Sequence, residues 1–124
     1  MSIAALCIVA GAMTASVPTS SFTLAWQHSV EKVLWDEDYA IAGGWLLATG
    51  ARIRGSGAGM EPPADSVLQD GVWHYRPADR WLRELQLARS GHTPDYRLCF
   101  AGRCRPLSFW VPVQAGSTTL RPCP

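Results

Sequence analysis

Along most of the chain, apolar and polar side chains alternate with a period of two rather than 3.6, the pattern of strands with one face in a core. Phe22, Leu24, Trp26, His28 and Val30 fall on one face of a first strand, with Thr23, Ala25, Gln27 and Ser29 on the other. Val33, Trp35, Tyr39 and Ile41 continue the alternation in a second strand, and Gly43-Gly44 makes the turn into a third over Trp45 to Arg54. Trp73 and Tyr75 mark a fourth strand after Asp70-Gly71, a strong turn signal. Leu85, Leu87 and Arg89 alternate in a fifth, Tyr96, Leu98 and Phe100 in the first arm of a hairpin, and Leu107, Phe109, Val111 and Val113 in its second arm. Thr118 to Arg121 closes the sheet, and Pro77 to Leu85 is open to one short helical turn because proline suits a first helical position. Short strands with frequent turns predict an all-β fold, a small antiparallel β-sandwich or partly open barrel with at most one short helix. There is no internal repeat, and Pro62-Pro63 punctuates one domain without dividing it.

The amino terminus departs from this pattern. No charged residue precedes Glu31, and Ile3 to Ala15 is an almost unbroken apolar run. A bilayer span needs about 20 residues, so the run is too short to cross but fits the core of a signal peptide. Small residues in Ala10-Gly11-Ala12 and Met13-Thr14-Ala15 suit a signal peptidase, whereas Leu6 before Cys7 makes a poor lipobox. The expectation is a signal peptide or membrane anchor over residues 1–16 and a single β domain over 17–124, with an N-terminal segment buried in the domain as the remaining alternative. Export to the periplasm follows, with anchoring through the apolar segment if it is retained.

Cysteine usage agrees with export. In Cys99-Phe100-Ala101-Gly102-Arg103-Cys104 a two-residue turn at Ala101-Gly102 places the two cysteines directly opposite, at disulfide separation. Cys123 is left to pair with a freed cysteine, with another chain or with nothing, and the fate of Cys7 is equally open. His28, His74 and His92 share no metal-type spacing, so neither a metal nor a cofactor is expected.

Charge changes the picture little. The formal net charge of +1 gives no bulk case for nucleic acid or an anionic membrane. Residues 1–75 carry Lys32, Arg52 and Arg54 against seven acids, and residues 76–124 carry eight arginines against Asp79, Glu84 and Asp95, an asymmetry that interleaved strands average out. Six tryptophans are a heavy load, most of them expected in the core and one or two in a groove or at a membrane surface.

The candidate chemistry gathers around Arg52-Ile53-Arg54-Gly55-Ser56-Gly57-Ala58-Gly59-Met60-Glu61-Pro62-Pro63. Glycines allow close approach of a ligand, and the prolines stiffen the exit. Arg52 and Arg54 share a face and suit a carboxylate, either on a ligand or on Glu31 or Glu61. The segment fails the dinucleotide fingerprint, the phosphate loop and the nucleophile elbow, because the third glycine is misplaced, no lysine follows, and Ser56 lacks glycines two residues to either side. His28 reads first as a core histidine and otherwise as a residue facing a cleft. Ser29 is no nucleophile for it, since adjacent strand side chains face opposite sides. The candidate binding surface is therefore His28, Glu31, Arg52, Arg54, Gly57, Gly59 and Glu61, with no catalytic residue assigned.

Four segments together resemble the bacterial family known as domain of unknown function 1850: Trp26-Gln27-His28-Ser29-Val30-Glu31-Lys32, Arg52 through Pro63, Leu87-Ala88-Arg89-Ser90-Gly91 and the Cys99/Cys104 hairpin. The resemblance covers roughly residues 22–110. It implies a small exported protein encoded beside the membrane and solute-binding components of TAXI-type TRAP transporters, which take up organic acids on ion gradients. It carries no site residues. The functional expectation is an accessory protein that binds such a transporter, or its solute-binding protein, at the periplasmic face. The alternatives are a small-molecule binding module for an anionic organic acid held by Arg52 and Arg54, and a hydrolase built on His28.

Overall fold

The computed structural model describes residues 4–27, 33–54, 63–78 and 80–124. Strands in the first half of the described chain are β1 (Leu6–Ala10), β2 (Met13–Val17), β3 (Ser21–Gln27), β4 (Leu34–Ala42) and β5 (Trp45–Arg54). Those in the second are β6 (Val67–Gln69), β7 (Val72–Tyr75), β8 (Trp81–Leu82), β9 (Leu85–Leu87), β10 (Arg97–Phe100), β11 (Arg103–Pro106) and β12 (Thr118–Pro122). They form two antiparallel sheets, a small one in the order β2-β1-β12-β9 and a large one in the order β11-β10-β3-β4-β5-β7-β6, with β8 also on β5. This is the all-β architecture expected from the alternation. Among the described residues no helix is long and apolar enough to cross a membrane.

The core lies between the sheets. Leu6, Ile8, Val17, Leu87 and Leu120 of the small sheet meet Phe22, Leu24, Tyr39, Leu46 and Leu98 of the large one. Each fully buried leucine or isoleucine contributes roughly 1.5–3 kcal/mol of transfer free energy. The expected alternation in β3 holds, with Phe22 and Leu24 buried between more exposed neighbours. At Gly43-Gly44 both residues have positive φ, 57° and 82°, a conformation that costs glycine nothing and lets β4 turn directly into β5.

Residues 1–16 were expected to be a signal peptide or anchor, with a buried N-terminal segment as the alternative. In the structure Leu6–Ala10 and Met13–Val17 form β1 and β2 against the core. β1 is paired on both sides, to β2 and to β12. Leu6 and Ile8 are fully buried, and a disulfide joins Cys7 to Cys123. β1 buries Leu6, Ile8 and Ala10 on one face and Cys7 on the other, and a strand covered on both faces suits an apolar run that alternates poorly. The β domain among the described residues therefore includes this segment. Cutting after residue 16 would strip β1 from β12, remove nearly all of β2 and leave Cys123 without its partner.

Two further expectations change. The return arm of the cysteine hairpin is β11, and Leu107–Phe109 and Val113–Ala115 are short 3-10 turns rather than strand. Pro106 and Pro112 immediately precede these turns and cannot donate to a ladder. Trp81–Leu82, inside the stretch open to a helical turn, pairs with Leu46 and Leu47 of β5 as β8.

Arg89 locks this end of the molecule. Its side chain is 0% exposed, and its Nε and Nη2 donate to Asp95 Oδ1 and Oδ2 at 3.0 and 2.9 Å. Nη1 also donates to Thr118 Oγ1 and Nη2 to the Val111 carbonyl. Asp95 in turn accepts the backbone N–H groups of Tyr96 and Ser108. A charge removed from water in this way is tolerated only because nearly every donor and acceptor is satisfied.

Candidate functional site

The large sheet has one face against the core and one open face, and the parity of each strand decides which residues the open face receives. In β3 the outward residues are Ser21, Thr23, Ala25 and Gln27, and in β4 Leu34, Asp36, Asp38 and Ala40. β5 changes parity halfway. Its buried residues are Leu46 and Ala48, then Ala51 and Ile53, and the register with β4 shifts by one residue between Asp38 and Tyr39. The extra residue is Thr49, whose hydroxyl donates to the Asp38 carbonyl. This β-bulge keeps apolar residues inward along the whole strand while turning Arg52 and Arg54 outward.

As a result Asp36 lies directly opposite Arg52, and Arg52 opposite His74 of β7. Arg52 donates from Nη1 and Nη2 to the two carboxylate oxygens of Asp38 at 2.6 and 2.9 Å. Its Nε lies 3.5 Å from Asp36 Oδ2, which also takes Nε and Nη2 of Arg54 at 3.0 and 2.9 Å. Thr23 Oγ1 donates to Asp38 Oδ1 at 2.6 Å. The hydrogen bonds from Arg52 hold the Asp38 carboxyl below its ordinary value of 3.8, against the opposing effect of partial burial. Two arginines and two aspartates thus neutralise one another on the open face of the sheet, with Asp36 itself only 9% exposed. Exposed apolar side chains flank the quartet, Leu34 at 48% and Val67 at 57%. β5 ends at Arg54 and leads directly into the glycine segment.

Two hollows border this quartet. The larger, about 620 Å³, has Thr23, Asp38 and Thr49 in its floor and the Cys99–Cys104 hairpin as its wall. The smaller, about 400 Å³, includes Arg52, His74, Arg76 and Asp65. Beyond the larger hollow stands an aromatic pair, Trp45 edge-on to Trp81, with the Arg83 guanidinium 3.9 Å above the Trp45 ring. Trp81 is 56% exposed, so this tryptophan at least is no part of the core.

Glu37 sits between Asp36 and Asp38 in the chain and so faces the other way, toward the core side of the sheet. Its cross-strand neighbours are Leu24 and Ala51. Burial pushes its carboxyl above the usual 4.5, partly offset by the hydroxyl of Tyr39, which donates to Oε1 at 3.0 Å. Burial and the Glu37 charge in turn push the Tyr39 phenol up. The same two causes raise Tyr75. Nearby, Trp26 stacks on Trp35 with ring centroids 5.9 Å apart.

Of the residues singled out from the sequence, Arg52 and Arg54 come together, and the carboxylates that meet them are Asp36 and Asp38. His28, Glu31, Gly57, Gly59 and Glu61 lie outside the described residues. Cys99 and Cys104 form the expected cross-strand disulfide, with their Cα atoms 4.0 Å apart. Sequence reasoning missed Asp36, Asp38, Thr23, His74 and Glu37. The run of three acids after Leu34-Trp35, Asp36-Glu37-Asp38, inside a strand pattern was a usable signal for all three. Their pairing depends on the bulge, which only Gly50 in the middle of a strand pattern announces. Among the described residues, no three His, Cys, Asp or Glu side chains gather in a metal-binding group.

No curated protein and no solved structure matched the chain. A family model does match, over residues 22–107, and that span carries β3 from Phe22 onward through β11, and with them the open face and the hairpin. The chain belongs to the family described as domain of unknown function DUF1850.

Proposed function

We propose that this protein is an exported accessory factor that binds a partner protein through the open face of its large sheet. The partner is the membrane or solute-binding component of a TRAP-type transporter at the periplasmic face, the context that the family resemblance implies. One observation carries the choice of a protein partner. Arg52 is already held by Asp38 and Asp36 and Arg54 by Asp36, on a surface bordered by exposed Leu34 and Val67. An arginine-rich patch with internal counter-charges and apolar neighbours suits a broad protein surface better than a small anion, which would have to displace the aspartates. Two disulfides are compatible with an oxidising compartment.

The test is capture of the C-terminally tagged protein from gently solubilised, crosslinked membranes of its host, with co-purifying proteins identified by mass spectrometry. The expected result is recovery of transporter subunits by the native protein and their loss with Leu34→Glu and with Glu61→Lys, both variants keeping a native circular dichroism spectrum. Recovery undiminished in both variants would overturn the assignment of the surface.

The smaller hollow favours a second reading, a binding site for an anionic organic acid, because Arg52, His74 and Arg76 converge on it. A ligand bound there raises the melting temperature in proportion to ln(1 + [L]/Kd). A panel of small organic acids is expected to give a rise that disappears in Arg52→Ala. No rise across the panel would remove this reading.

A further inference from the structure

The two disulfides of this protein sit in opposite settings. Cys7–Cys123 spans a sequence separation of 116 and joins a strand paired on both sides to the residue just past the end of β12. Cys99–Cys104 spans a separation of 5, joins the two arms of one hairpin and lines the larger hollow of the open face. Cys104 is exposed, whereas Cys7 is only 9% exposed. A bridge that closes so short a loop restricts the reduced chain least, and an exposed sulfur admits an attacking thiolate.

The surroundings of the hairpin add to this. Residues 97–106 contain Arg97, Arg103 and Arg105 and no acid. Arg97 Nη2 approaches the Cys104 carbonyl at 3.5 Å. Of these arginines, Arg97 lies two residues from Cys99 on the same face of the hairpin as the disulfide, and a guanidinium on that side favours the thiolate form of the reduced pair. The turn itself holds Ala101 at φ 52°, a left-handed conformation that an alanine adopts only under constraint. The disulfide and the backbone ladder of β10 with β11 together hold that turn in the hairpin that walls the hollow.

We infer that Cys99–Cys104 is an exchange-active disulfide whose substrate is a dithiol, and that its redox state sets the shape of the hollow beside Asp38 and Thr23. A thiolate of the dithiol attacks Cys104 Sγ, the S–S bond breaks, and Cys99 leaves as a thiolate that takes up a proton. The second thiol of the dithiol, losing its proton, attacks its own sulfur in the mixed disulfide and releases Cys104 as a thiolate, which is protonated in turn. The dithiol is oxidised to a disulfide and the cysteine pair is reduced, a transfer of two electrons and two protons.

The test equilibrates the native protein with dithiothreitol at graded ratios of reduced to oxidised form, without denaturant. Free thiols are then alkylated and mapped by mass spectrometry, and circular dichroism is followed in parallel. The expected result is alkylation of Cys99 and Cys104 at a reductant ratio at least tenfold below that which opens Cys7–Cys123, with the fold retained. Simultaneous opening of both bridges, or opening of Cys99–Cys104 only on unfolding, would overturn the inference. The attacked atom is read separately from the single variants. Cys104 in Cys99→Ser is expected to react at least tenfold faster with an aromatic disulfide reagent than Cys99 in Cys104→Ser. Equal rates would remove the assignment to Cys104.

Discussion

The small-sheet end of the molecule and the open face of the large sheet are built from the same two devices, a two-pronged arginine–aspartate pair and a disulfide. At the small-sheet end these are Arg89 with Asp95 and Cys7 with Cys123. On the open face they are Arg52 with Asp38 and Cys99 with Cys104. What separates the regions is burial and loop length. The Arg89 side chain is 0% exposed and that of Arg52 25%. Identical chemistry therefore carries the fold in one place and is left available to partners and reagents in the other.

The comparison is broken most severely by shortening the chain. A protein beginning at Val17 loses β1, nearly all of β2 and the Cys7–Cys123 bridge, and is expected to show no cooperative unfolding transition in urea. A native transition from that chain would instead restore residues 1–16 as a removable leader. Replacing both cysteines of a bridge by alanine comes next. The chain-entropy relation gives about 5 kcal/mol for Cys7–Cys123 and about 2 kcal/mol for Cys99–Cys104. Equal losses in urea denaturation would show that loop length does not set the difference.

Arginine removal follows. Arg89→Ala leaves the Asp95 charge buried without its partner and is expected to cost about 3–5 kcal/mol. Arg52→Ala, at a surface where water screens the pair, is expected to cost about 1 kcal/mol or less. Similar values for the two would mean that Asp38 is far less hydrated than its position suggests. In the hairpin, Ala101→Gly relieves the left-handed alanine and is expected to gain about 1 kcal/mol, seen as a higher melting temperature. A loss would show that the turn carries no such strain.

The smallest effects come from adjacent residues on opposite faces of β4. Asp38 titrates lower in the folded state than its ordinary 3.8, so its contribution is complete above that value and is lost as pH falls through the folded pKa. Glu37 titrates higher than its ordinary 4.5, so its contribution is complete below that value and is lost as pH rises through the folded pKa. Glu37→Gln, which keeps an acceptor for Tyr39, is therefore expected to be more stable than the native protein at about pH 7 and no more stable at about pH 3. Asp38→Asn is expected to be less stable at about pH 7, with the deficit closing in strong acid. Urea midpoints across pH decide both, and parallel profiles for the two variants would contradict the opposite shifts.

Much of the large sheet was legible from its alternation. Phe22, Leu24, Tyr39 and Leu98 reach the core as their spacing required. The cysteine hairpin was legible too, because a two-residue turn leaves only one register. The charged quartet was not. Counting back from Gly43-Gly44 without a bulge sets Asp36 against Ala51, and only the extra Thr49 brings it opposite Arg52. The N-terminal segment was ambiguous for a different reason. A short apolar run satisfies a signal-peptide core and a doubly paired strand equally well, and local composition holds no information about which neighbours will arrive.

By itself, then, the sequence determined the all-β class, the Cys99–Cys104 bridge and the shared face of Arg52 and Arg54, since each follows from spacings of a few residues. Only the tertiary structure decided that Cys7 meets Cys123, that Arg89 is sealed against Asp95, and that Asp36 and Asp38 neutralise the two arginines. Those outcomes depend on register shifts and on contacts between distant segments, which are fixed when the whole core packs at once.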